Sequence, residues 1–317
     1  RSWYVGPNGA LTDQPAADTA ADGFTWNAAA RPLTDFSGDT GSGTNGLWTA
    51  TPPYDWTQDP AHTAVAYATA ALDADTTVVG AGAVDVWVRS STPDVDLQAT
   101  ISEVRQDGKE TFVQGGWVKG KARELDAEKS TELEPVLSLR EEDFSSMPPD
   151  KFVKVTIPLY YEGHEYRAGS RIRVRISAPN GDQPIWSFAE TVPAGEADVA
   201  IGYGPDMPSR LLLPVVPGAE APTGLPPCPG LRGEPCRDYQ PFENDTRPVS
   251  VDDGGGGGDT VGGASTSQPG SSSAPQVTSN CAAGSPAVAI KTKKHKKKKK
   301  KSACRHKKHK KHKKHKK

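Results

Sequence analysis

The run Arg171-Ile172-Arg173-Val174-Arg175-Ile176 alternates residue by residue between charge and aliphatic bulk, a period of two that suits a strand with one buried face and no helix. The same period recurs in Val84–Arg89, in Leu97–Val104 and in Phe152–Ile157, which Pro158 closes. Gln106-Asp107-Gly108-Lys109 supplies turn chemistry between Leu97–Val104 and Thr111-Phe112-Val113, so those two runs are expected to pair as a hairpin. Ser209–Val215 reads as a final buried strand. Only residues 121–145 leave room for a helix, and Pro135 divides them. Many short strands, each with one apolar face, predict an all-β chain: an antiparallel β-sandwich of jelly-roll type.

The material for a core is confined to the front of the chain. All seven Trp lie between Trp3 and Trp186, and six of the seven Phe precede residue 190. One sizeable domain over residues 1–217 follows. Its first 62 residues are rich in Gly, Pro, Asp and Thr, with Trp3, Trp26, Trp48 and Trp56 interspersed. Two readings stand for these aromatics: contacts for a neighbouring domain, or filling for the sandwich itself. Residues 218–240 read as a Pro-rich extension with a Cys pair, and residues 241–290, which include the run Gly254–Gly258, as a disordered Gly/Ser/Pro linker.

Residues 291–317 are a different object: 17 Lys, one Arg and five of the seven His, with no acidic residue. The tail sums to +18, and the rest of the chain, with 20 basic and 39 acidic residues, to −19. Such a tail repels itself and is expected to be extended and to bind polyanions such as wall polymer, nucleic acid or anionic lipid. Lys296, Lys297, Lys298, Lys299, Lys300, Lys301, Lys307, Lys308, Lys310 and Lys311 are the candidate contacts. His306, His309, His312 and His315 recur every third residue, but the surrounding lysines oppose a divalent cation. A low-complexity extension with no selected role is the plainer alternative.

No stretch approaches the roughly 20 apolar residues that span a bilayer. The chain begins at Arg1 rather than Met, with strand-like Trp3-Tyr4-Val5 at once, and is expected to be a piece of a longer polypeptide. The four Cys fall outside the packed region, at 228, 236, 281 and 304. Cys228 and Cys236 flank a turn-rich segment, Pro229–Pro235, and are a disulfide candidate. Zinc is the competing reading, though no His lies near and the spacing is unlike a metal knuckle. A disulfide implies an oxidising compartment, hence a secreted or cell-surface location. No pairing is assigned to Cys281 and Cys304.

Motifs for chemistry are missing. A hydrolase nucleophile elbow needs Gly-x-Ser-x-Gly, and the nearest approach, Thr40-Gly41-Ser42-Gly43, has Thr40 at the first glycine position. Ahead of the tail the only histidines are His62, read as structural, and His164, read as decorating a loop. Phosphate-loop, dinucleotide and metalloprotease patterns are absent, so no catalytic residue, cofactor site or metal site is assigned. The Arg171–Arg175 stripe invites an anion or nucleic-acid reading. A solvated strand face partnering the many carboxylates is the expectation.

Several phrases, in order and without large gaps, nonetheless carry a resemblance. Trp3–Leu11, Asp75–Gly80 leading into Val84–Val88, Ser90–Leu97, Ser102–Lys109, Arg167–Arg173 and Pro208–Val215 together look like the C-terminal domain of Xaa-Pro dipeptidyl-peptidases and cocaine-esterase-like (CocE/NonD) serine hydrolases. The resemblance spans residues 3–217. It implies a jelly roll of galactose-binding-like type, packed against an α/β-hydrolase domain that carries the Ser-Asp-His triad and has no counterpart in this sequence. The implied role is a non-catalytic accessory domain of a hydrolase acting on amide or ester bonds. Two other classes compete: a carbohydrate-binding module using coplanar exposed aromatics, and a surface protein acting through its basic tail.

Overall fold

The computed structural model describes residues 1–30, 56–179, 196–219, 224–230 and 235–247. The compact unit that holds them runs from Arg1 to Gly258. Among these residues there are fifteen strands, four single 3₁₀ turns and no α-helix. In chain order the strands are β1 (Ser2–Gly6), β2 (Ala10–Thr12), β3 (Ala20–Trp26), β4 (Ala64–Thr69), β5 (Thr76–Gly80), β6 (Ala83–Ser90), β7 (Asp96–Val104) and β8 (Lys109–Lys119). They continue as β9 (Val153–Pro158), β10 (Glu162–Tyr166), β11 (Arg171–Ser177), β12 (Ala197–Tyr203), β13 (Arg210–Leu212), β14 (Cys236–Asp238) and β15 (Asp245–Arg247).

Thirteen strands form one sheet in the order β14-β8-β7-β11-β4-β2-β1-β13-β6-β12-β3-β15, with β9 paired to β6 off that path. Pairing is antiparallel except between β2 and β4. β5 and β10 make a separate two-stranded ribbon. The long sheet folds over on itself. Leu97, Ile101, Val174 and Tyr67 from one half share a core with Phe24, Val84, Val86, Ile157 and Ile201 from the other. The two halves also meet where Gly116 on β8 lies against Pro158 at the end of β9. A Cβ on Gly116 would stand 2.0 Å from the Pro158 carbonyl oxygen, so glycine is required there.

The hairpin expected over residues 97–113 is present as β7 and β8, and the terminal strand expected within 209–215 is β13. Trp3, Trp26 and Trp56 are buried within this domain, so these three fill the sandwich and its covering; Trp48 lies outside the described residues. The span 121–145 carries no helix. It folds back on itself through a bridge between Leu125 and Leu137, with short 3₁₀ turns at Gly120–Ala122 and Glu141–Asp143. Pro135 and the run of acidic side chains favour this irregular loop over a helix. Residues 236–238 and 245–247, expected in the extension and the linker, form strands β14 and β15. They pair with β8 and β3, the two ends of the long sheet.

Candidate functional site

The arginine stripe of β11 partners carboxylates as expected, but it is solvated only at Arg171. Ile172, Val174 and Ile176 point into the core as alternation demands, but Arg173 and Arg175 on the opposite face are each only 2% exposed. Burial of an arginine demands a charged partner. Arg173 Nη1 donates to Glu110 Oε1 at 2.5 Å, and Arg175 Nη1 stands 2.8 Å from Asp59 Oδ2. Glu110 also accepts from Ser102 Oγ at 2.7 Å and from Arg237 Nε at 2.8 Å. The Arg237 guanidinium lies 3.8 Å over the Trp56 ring, which meets Phe112 edge-on. Burial pushes the Glu110 carboxyl up, but Arg173, Arg237 and the Ser102 hydroxyl outweigh it and hold the group below the usual carboxylate range. Arg237 is lowered by its own burial and by repulsion from Arg175 and Arg173, which Glu110 offsets in part.

Two segments cover this face: residues 56–63, with Trp56 and Asp59, and the stretch from Pro235 to Arg247. The second runs as a strap from β8 to β3. Cys236 starts it, joined to Cys228 with Cα atoms 5.5 Å apart. Asn244 near its end bridges the Ala66 backbone, accepting from its N–H and donating to its carbonyl, and donates also to Asp22 Oδ2 at 3.0 Å. Burial raises the Asp22 pKa; the hydrogen bonds from Asn244 and Thr246 oppose the shift without cancelling it.

A register change sets which β8 side chains reach the covered face. Ile101 pairs with Gln114 while its neighbour Ser102 pairs with Phe112, leaving Val113 as the extra residue of a β-bulge. The bulge inverts the parity of β8, so Glu110 and Phe112 share a face with Gly115 and Trp117. Trp117 Nε1 donates there to Gln98 Oε1 at 2.9 Å.

The two histidines are accounted for by structure. His164 lies on β10 rather than in a loop, with Nε2 3.0 Å from Glu103 Oε2. Burial raises Glu103, but the hydrogen bonds from His164 and the Arg167 N–H help to outweigh it and lower the group. Ser170 is fully buried, and its hydroxyl makes no hydrogen bond to the His164 ring. A triad needs the histidine bonded to both serine and acid, and here it meets only the acid, so this cluster does not activate a nucleophile. His62 is exposed and sits 2.6 Å from Asp245 on β15. Ser42, Cys281, Cys304 and all ten candidate lysines of the tail lie outside the described residues. Among the described residues no group of three His, Cys, Asp or Glu is placed to hold a metal ion.

Several clefts open on the described surface, and one has aromatic walls. A groove of about 470 Å³ lies between the 134–139 stretch and the chain that leaves β9, lined by Trp117, Pro135, Leu139, Pro158, Tyr160 and Tyr161. Trp117 and Tyr160 are 4.9 Å apart but inclined at 51°, so they do not make the coplanar platform expected of a sugar site.

Comparison with known proteins gives a family match and a likeness of fold. The model of the X-Pro dipeptidyl-peptidase C-terminal non-catalytic domain matches residues 1–196. No curated protein matches. Among solved structures, a CocE/NonD family hydrolase from Staphylococcus aureus is 20% identical, with a TM-score of 0.50, over 68% of this chain and 36% of that one. An alpha-amino acid ester hydrolase is 18% identical, with a TM-score of 0.51, over the same shares of the two chains, 68% and 36%. At this identity the likeness is one of fold, and the chain spans about a third of the length of either structure. Given a match over more than half of its length, the chain belongs to the family of X-Pro dipeptidyl-peptidase C-terminal non-catalytic domains.

Proposed function

We propose that this chain is the accessory domain of a serine hydrolase of dipeptidyl-peptidase or acyl-esterase type, packing on an α/β-hydrolase domain of the same parent protein. The family match over residues 1–196 carries the reading. The geometry supports it: in the one Ser–His–acid cluster among the described residues the serine is not bonded to the histidine, and Arg173 and Arg175 of β11 are engaged by carboxylates. The finer fold assignment, a jelly roll of galactose-binding-like type, is part of the same proposal. So is a secreted or cell-surface location, which rests on the Cys228–Cys236 pair.

The test has two arms. The purified chain, assayed against an Xaa-Pro chromogenic amide and a short-chain nitrophenyl ester, is expected to match buffer. Co-expressed with the α/β-hydrolase portion of its parent, it is expected to co-elute with that portion in size-exclusion chromatography. Turnover that survives repurification and is blocked by a serine-directed phosphonate overturns the accessory assignment. Separate elution of the two portions overturns the packing.

A further inference from the structure

The groove at Tyr160 has chemistry that nothing above uses. Eight large apolar side chains among the described residues are exposed, and three of them, Leu139 (65%), Tyr160 (41%) and Tyr161 (67%), line this one feature. Such clustering marks an interaction surface rather than the ordinary scatter of apolar residues. Leu139 adds a second observation. It holds φ at +52°, a left-handed conformation that disfavours a bulky residue, yet its side chain points into solvent beside the groove.

The walls and rim define the occupant. Trp117, Tyr160 and Tyr161 with Pro135 and Pro158 present flat rings and no charged group except Glu134, which accepts from the Tyr161 hydroxyl. Residues 134–139 supply one wall, and the 124–143 span around them holds eight carboxylates against two cations, Lys129 and Arg140. Those two cations are already paired with Asp126 and Asp143. An aromatic trough beside an excess of carboxylates is the complement of an extended proline-rich segment with basic flanks. Proline rings stack on the aromatic faces at low entropic cost because the polyproline II form is preset, and the basic residues meet the acidic rim. The volume, about 470 Å³, is in the range of about 300–1,000 Å³ typical of binding clefts. The geometry points to this groove as a docking site for proline-rich, basic peptide segments. The assignment stands on the groove alone and does not depend on the parent being a hydrolase.

The experiment uses the full chain and a fluorescent ten-residue peptide of alternating prolines with two lysines at each end, followed by anisotropy. Saturable binding is expected, weakened at least fivefold in Tyr161→Ala and in Glu134→Gln, and weakened similarly when glutamines replace the peptide's lysines. Tyr161 is two-thirds exposed, so Tyr161→Ala is expected to keep the wild-type melting temperature, and Leu139→Gly reports on the same groove if it does not. No saturation at millimolar peptide overturns the proposal, as does binding that none of the three variants alters. A concentration-dependent dimer abolished by Tyr161→Ala assigns the groove to a second copy. Loss of peptide binding on association with the α/β-hydrolase portion assigns it to that domain. Either of these two results overturns the peptide assignment while leaving the accessory role standing.

Discussion

Replacing Glu110 with alanine isolates the energetic weight of the covered charge network. Glu110 is fully buried and takes hydrogen bonds from Ser102, Arg173 and Arg237. Its loss leaves three guanidiniums, those of Arg173, Arg175 and Arg237, with Asp59 as the nearest remaining carboxylate of the cluster. Breaking a buried pair so that one charge is stranded costs about 3–5 kcal/mol. The same two strands offer an internal control one residue away. Lys109 Nζ meets Asp238 at 2.6 Å, but their side chains are 43% and 80% exposed, and such a pair contributes about 0–1 kcal/mol. With a urea slope near the upper end for single domains, about 3 kcal/mol per molar, Glu110→Ala should lower the unfolding midpoint by about 1–1.7 M. Lys109→Ala should lower it by no more than about 0.3 M.

The pH dependence gives a second reading of the same variant. Folding lowers the Glu110 pKa below its ordinary value of 4.5, so its stabilisation is complete above that value and is lost as pH falls through the lowered folded one. The gap between wild type and Glu110→Ala should hold constant from about pH 8 to 6 and narrow only below about pH 4. Midpoint shifts of equal size for Glu110→Ala and Lys109→Ala, measured by fluorescence-detected urea unfolding, would refute the claim that burial and not pairing sets the energetics.

Asp22 should behave oppositely. Its pKa is raised on folding, so its contribution is present below the ordinary value of 3.8 and is lost as pH rises through the folded one; Asp22→Asn should flatten the stability profile over that window, read from melting temperatures at several pH values. Cys228 and Cys236 should be recovered as one cross-linked peptide in a non-reducing digest of protein made in an oxidising compartment, and free thiols at both positions would count against the bond. Deleting residues 291–317 should abolish retention on heparin at low salt, whereas co-elution of the truncated and full-length chains would show that the tail is not a polyanion-binding element.

Periodicity made the β architecture legible because it reports which side chains share a face. It identified β11, the β7–β8 hairpin and β13, and it separated Ile172, Val174 and Ile176 from the arginines between them. What covers a face is a separate matter. The lids over Arg173 and Arg175 come from Trp56 and Asp59 and from Arg237 and Tyr239, each more than sixty residues away or more than a hundred. A stripe of arginines in an acidic chain therefore reads as solvated until those distant segments are placed. The bulge at Val113 is similarly silent, since it inverts parity without leaving a glycine or proline as a mark. His164 was hidden by the neighbours Glu162, Gly163 and Glu165, which read as a loop, although β10 gains its order by pairing with the Val78–Val79 segment of β5. The groove depended on residues from three elements, and only the exposed dyad Tyr160-Tyr161 offered a local hint.

The strap from Cys236 to Arg247 has a consequence for where this domain ends. A long sheet has two outer strands whose unpaired backbone groups can recruit strands from other molecules and seed aggregation. Here a single segment of twelve residues supplies the outermost pairing at both ends, β14 on β8 and β15 on β3. A boundary drawn after β13, where the alternating pattern stops, would strip both protections at once. It would also open the charged face beneath. The unit that can remain a monomer therefore extends about thirty residues past the last strand that hydrophobic periodicity reveals.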